Sequence, residues 1–153
     1  MNRHELIARY RAGAADVDAA LAGATADELD RRPDPTAWTA REVVHHVADS
    51  ETNSYIRLRK LMAEDDAVIQ GYDEGHWAKV LHYDRPIDAS LAVIHAVRAA
   101  SAELLDRLSD ADFERVGTHS QRGQYSMADW LEDYVNHPYD HADQIRRARK
   151  GQR

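Results

Sequence analysis

Cysteine is absent from this 153-residue chain, which excludes disulfides, thiolate metal ligands and a cysteine nucleophile. Glycine is scarce, and proline occurs only as Pro33, Pro35, Pro86 and Pro138, so few positions interrupt a helix. No apolar run approaches the roughly 20 residues that cross a bilayer, and no membrane partner is expected. The opening Met1-Asn2-Arg3-His4-Glu5 is polar and lacks the apolar stretch of a signal peptide, which gives a cytoplasmic expectation. An excess of cations is missing as well. The net charge of −7 repels phosphate backbones, so nucleic acid is not an expected partner. The one basic cluster, Arg146-Arg147-Ala148-Arg149-Lys150 with Arg153, ends the last expected helix, where cations suit the negative end of the dipole.

What remains is rich in alanine, leucine, glutamate and arginine, a composition suited to long helices. The length fits one globular domain, residues 1–153, with one sizeable core. Leu6, Ile7, Tyr10, Ala14, Val17 and Leu21 recur at helical spacing and predict a first helix from about Asn2 to Ala22. A short turn over Ala26–Asp30 precedes the break at Pro33-Asp34-Pro35. Thr39-Ala40-Arg41-Glu42 fits the capping box and opens a second helix to about Ala63, with Trp38 as its staple. Residues 64–86 read as a long crossover with a short helix over Asp73–Val80. A third helix from Asp88 to about Leu108 turns Leu91, Ile94, Val97, Ala102, Leu105 and Leu108 inward and Arg98 outward. Ser109–Phe113 forms another short turn, and Gly117–Tyr125 reads as a polar loop or a small hairpin about Arg122-Gly123. Ser126 caps the fourth helix, in which Pro138 predicts a kink or a fresh start. Trp38, Trp130 and Tyr134 read as core. The expected fold is all-α, a four-helix bundle with a long crossover between helices 2 and 3.

Histidine is the unusual residue, with nine copies. His137 and His141 are spaced i, i+4, which puts both imidazoles on one helix face about a turn apart. The same logic places two zinc ligands in H-E-x-x-H metalloproteases, but Pro138 stands where their catalytic glutamate would be. A third imidazole would complete a standard catalytic donor set, and helical periodicity leaves His45 and His46 both open for it. Glu42, Ser50, Asn53 and Arg57 share a face with His46, either as a polar pocket wall or as a solvated surface. His4, His76, His82, His95 and His119 read as incidental, with His76 kept open because it adjoins Trp77 in the crossover.

The run from Trp38 to Ser50, with His45-His46-Val47-Ala48-Asp49 at its centre and Asn53-Ser54-Tyr55-Ile56-Arg57 beyond it, resembles the second-helix signature of the DinB-like superfamily. It is nearest to the YfiT branch, described as metal-dependent hydrolases and bacillithiol S-transferases. Tyr72-Asp73-Glu74 with Trp77 resembles that branch's crossover, and Tyr134-Val135-Asn136-His137 with His141 and Ile145 its last helix. The resemblance implies a metal site of His46, His137 and His141, holding one divalent ion, zinc or nickel first. It also implies a homodimer. Two features depart from the pattern: Pro138-Tyr139-Asp140 stands between the ligands, where the family is often richer in histidine, and the N-terminal segment is shorter.

Three neutral imidazoles leave an ion its full charge, which lowers the pKa of bound water and equally stabilises a thiolate. The expectation is therefore a metal-dependent enzyme acting on a small molecule, as a thiol S-transferase using a low-molecular-weight thiol or as a hydrolase. Candidate catalytic or substrate-binding residues are Asp49, Asn53, Arg57, Asp73 and Glu74, with Asp49 or Asp140 to orient a ligand histidine. The alternative is a non-catalytic metal-binding module for stress response or interaction.

Overall fold

The computed structural model describes residues 1–153. Four long helices, α1 (Arg3–Leu21), α3 (Ala40–Ala63), α5 (Asp88–Leu105) and α7 (Met127–Arg149), form the bundle. Short helices α2 (Ala26–Asp30), α4 (Glu74–Val80) and α6 (Asp110–Phe113) lie in the connections. The capping chemistry explains why the helices start where they do. Asn2, Thr39 and Ser126 each accept from the amide three residues on, and Glu5, Glu42 and Asp129 return the bond. No helix is long and apolar enough to cross a membrane.

The helices do not pack in chain order. α1 lies against α7 and α5, and α3 lies against α5 and α7, so α1 and α3 stand across the bundle from each other. The long connections make this possible. Residues 64–87 carry α4 against α3, and residues 106–126 carry α6 and most of a small sheet. The sheet was not expected in full. β2 (Val116–His119) and β3 (Gly123–Ser126) form the hairpin, and β1 (Val68–Ile69), read as plain crossover, pairs in parallel with β2.

The core divides in two. One apolar cluster gathers Tyr10, Leu58, Leu61, Leu105, Trp130 and their neighbours. The other gathers Val17, Val43, Val44, Val47, Ile94 and Ile145. Between them, along α3 and α7, lies a polar layer holding Ser50, Glu51 and Ser54 opposite His137, Pro138 and His141.

Arg98 belongs to this layer and corrects the expectation that it faces outward. It is 1% exposed and bonds Glu51, which is 0% exposed, at 2.5 Å. It also donates to the carbonyls of Tyr10, at 2.9 and 2.5 Å, and Tyr134, at 3.2 Å. The bond to Tyr134 explains how α7 runs through Pro138. Proline has no N–H for the carbonyl four residues back, which is that of Tyr134. The Arg98 guanidinium takes up that carbonyl, and the helix continues as one element instead of restarting. Gly13 makes the room: a Cβ there would lie 2.5 Å from Pro138 Cγ and 2.9 Å from Arg98 Nη2.

Candidate metal centre

α3 and α7 bring His46, His137 and His141 together, and one ligand nitrogen from each lies within 4.8 Å of the others. Ring centroids are 4.4 Å apart for His137 and His141, 4.7 Å for His46 and His141, and 5.6 Å for His46 and His137. The i, i+4 spacing on α7 does what periodicity requires, and His46 faces it from the neighbouring helix. His45 is settled the other way. Its Nδ1 meets Ser90 Oγ at 2.8 Å and its Nε2 meets the Arg85 carbonyl at 2.9 Å, so both nitrogens are spent on the fold.

The cluster fits a cation of borderline softness. The Nδ1 atoms of His46 and His137 are buried with no hydrogen-bond partner, a costly arrangement unless the rings have another use. His141 Nδ1 is held by Gln144 Oε1 at 2.8 Å, which leaves Nε2 for an ion. Burial holds the His46 imidazole down to about 3, and the charge of His141 would push the same way. Burial likewise holds His137 well below its usual range, reinforced by His141 and His46. His141 is lowered by burial against an opposing bond from Gln144. All three are neutral near pH 7 and offer lone pairs. Three imidazoles suit zinc, nickel, cobalt, copper and iron alike.

The surrounding residues divide into those the fold brings to the cluster and those it does not. Glu74, at the start of α4, places Oε2 4.0 Å from His46 Nε2. Its carboxyl is raised by burial, against the pull of Arg57. Arg57 lines the same space, donating to Tyr134 Oη at 2.8 Å and to the Gln70 carbonyl at 2.9 Å. Asp73 instead caps α4 through the His76 amide. Asp49 accepts from Tyr83 Oη at 2.5 Å, and Asn53 donates to the Asp49 carbonyl, so neither reaches the histidines. Asp140 is exposed, and Gln144 holds the position expected of it.

Two cavities open from the cluster. One, of about 220 Å³, is lined by His137, Ser50, Arg57, Tyr72, Glu74 and Tyr134. The other, of about 470 Å³, is lined by His141, Trp38, Gln144 and Arg147 among others. Trp38 therefore serves as more than core, packing at a tilt with its ring centroid 4.8 Å from that of His46 and walling the larger cavity. His119, read as incidental, is buried and lines the smaller cavity, whereas His76 is exposed and lines neither. Of the basic cluster, Arg146 and Arg149 pin α7 to α1 and α2 through Asp16, the Ala20 carbonyl and Glu28.

A helical bundle with a three-histidine centre between its second and fourth long helices defines a class of metal-site protein, and comparison names it. The family model of the DinB superfamily matches residues 9–145, and the chain belongs to that superfamily. Relatives named "putative metal-dependent hydrolase" occur in Oceanobacillus iheyensis (38% identical over 78% of this chain and 69% of that protein) and Bacillus mycoides (36% over 71% and 62%). The alignments thus span about two thirds of these relatives' lengths. Among solved structures, YfiT from Bacillus subtilis superposes with a TM-score of 0.89 at 29% identity, over 99% of this chain and 89% of that one. It is described as "a probable metal-dependent hydrolase with an unusual four-helix bundle topology".

Proposed function

We propose that this chain is a divalent-metal-dependent enzyme that joins a small thiol to an electrophilic small molecule, with Glu74 as the base. The convergence of three neutral imidazoles beside the Glu74 carboxylate is the observation that carries the reading. A divalent ion at His46, His137 and His141 would stabilise the negative charge that a nucleophile develops as it loses its proton.

The chain's own groups supply the rest. Glu74, with its proton affinity raised by burial, takes the thiol proton. The sulfur electron pair then forms the carbon–sulfur bond as the leaving group departs with its own pair. Arg57, fixed by Tyr134 and with a buried Nε that lacks a partner, orients an anionic or carbonyl group of a substrate. Tyr72 Oη, buried without a partner, is a second such handle. Separate cavities, one reaching His137 and the other His141, favour two organic substrates over one substrate and water.

Hydrolysis is the second reading, favoured by the names of the relatives, and the same base would then take a proton from water. The test is protein loaded with zinc or nickel, mixed with low-molecular-weight thiols and monochlorobimane, alongside thiol-free ester and amide panels. Thiol-dependent adduct formation that falls at least a hundredfold in His141→Ala is expected. Turnover of an ester without thiol would favour hydrolysis, and activity unchanged in His141→Ala would overturn both readings.

A further inference from the structure

Arg98 serves α7 by bonding the Tyr134 carbonyl, but that role does not call for the buried carboxylate of Glu51 beside it. A buried Arg–Glu pair seldom stabilises a fold, because the desolvation of two charges offsets their attraction, and apolar replacements of similar size are often as stable or more so. Here the pair is completely enclosed and elaborately supported. Arg98 is bonded by the Tyr10 and Tyr134 carbonyls and lies 3.9 Å over the Tyr10 ring. Gly13 and Pro138 provide the space and the free carbonyl it uses. Yet the pair is unfinished on one side. Glu51 Oε2 has no partner, Oε1 lies 4.0 Å from His137 Nδ1, and that Nδ1 has no partner either.

We infer that Glu51 is the positioning residue for His137, accepting its Nδ1–H when the ring binds an ion, with Arg98 holding the carboxylate in place. An imidazole that binds through Nε2 carries its proton on Nδ1, and a carboxylate acceptor there fixes the tautomer and turns the ring. His141 has such a partner in Gln144, while His137 has only Glu51 within reach. The present 4.0 Å gap exceeds a hydrogen bond by about 1 Å, which a small rotation of either side chain closes. Oε1 would then accept from Arg98 and His137 together, which gives the unpaired nitrogen its partner.

The inference rests on the three-histidine reading and can fail apart from it. The full-length protein and three variants, Glu51→Leu/Arg98→Met, Glu51→Asp and His137→Ala, are titrated with zinc against a chromophoric chelator, and each metal-free form is melted. Zinc affinity is expected to fall about 10- to 100-fold in the double variant, the usual cost of losing such a partner. The metal-free double variant should still melt cooperatively, at a lower temperature because the Tyr134 carbonyl loses its donor, so the fall in affinity is read on folded protein. Glu51→Asp keeps the charge opposite Arg98 but withdraws the oxygen, and it should also weaken zinc binding. In zinc-loaded parent protein, the His137 Nδ1–H should give a slowly exchanging nitrogen-15 resonance, a readout needing no variant. Parent-level affinity in both Glu51 variants, or a rapidly exchanging Nδ1–H in the parent, would overturn the role of Glu51. If His137→Ala binds zinc as the parent does, the three-histidine reading itself is what fails.

Discussion

At the scale of single residues, Glu74 makes the sharpest distinction between holding an ion and using it. It sits on the crossover, half exposed, with Oε2 4.0 Å from His46 Nε2. Glu74→Gln should leave bound metal at the parent level and lower kcat by about 10²- to 10⁴-fold, the usual worth of a general base. Metal content and steady-state rates on the same preparation check this. Loss of the metal instead would make Glu74 a fourth ligand. The sequence alone exposed part of this chemistry. The i, i+4 pair on α7 was visible in spacing, whereas Gln144 came forward only with the coordinates, which bond it to His141 Nδ1. The choice of His46 over His45 needed either family likeness or coordinates, because both side chains are buried and only their partners differ. The partner of Asp49 was not legible, because proximity in sequence says nothing about Tyr83, which donates to it from 34 positions away.

Among the elements, the crossing of α1, α5 and α7 is tightly constrained. Gly13→Ala should lower stability by about 1–3 kcal/mol, the usual cost of overpacking, since the new methyl meets both the Pro138 ring and the Arg98 guanidinium. Urea denaturation of the metal-free protein measures it, and an unchanged midpoint would show that this crossing has slack. The helix starts were legible because capping boxes are local chemistry, complete within four residues at Thr39 and Ser126. The orientation of Arg98 was legible in position and misleading in type. It continues the stripe of Leu91, Ile94, Ala102 and Leu105, but a charge argues for solvent unless a partner is known. That partner, Glu51, lies 47 positions away. β1 was missed because two residues carry no periodicity, and its pairing to β2 joins Val68 to Thr118, about a third of the chain away.

For the molecule as a whole, the polar layer makes stability a function of pH. The folded-state pKa values of His46, His137 and His141 lie below those in the unfolded chain, so the unfolded chain binds more protons once pH falls below about 6.5. Stability is present above that value and is lost at about 1.4 kcal/mol per pH unit for each such proton. Glu51, raised to about 6, acts in the opposite sense between its ordinary value and 6, and offsets one proton in that window. The metal-free protein should therefore melt at falling temperature from pH 6.5 downward, and bound metal should deepen the dependence, because protons compete for the same nitrogens. Flat melting temperatures from pH 7 to 5 would contradict the burial of these rings. The fold was legible at this scale because four long amphipathic segments with few breakers leave little else to build. The diagonal placement of α1 and α3 was not, since helix order depends on which faces meet. The claim on which everything else depends is that His46, His137 and His141 hold one ion together. It is tested most directly by elemental analysis of protein purified without an affinity tag, beside His46→Ala prepared identically. About one divalent ion per chain in the parent and close to none in the variant is the predicted result. Equal metal in both, or none in the parent even after reconstitution with zinc or nickel, would contradict it.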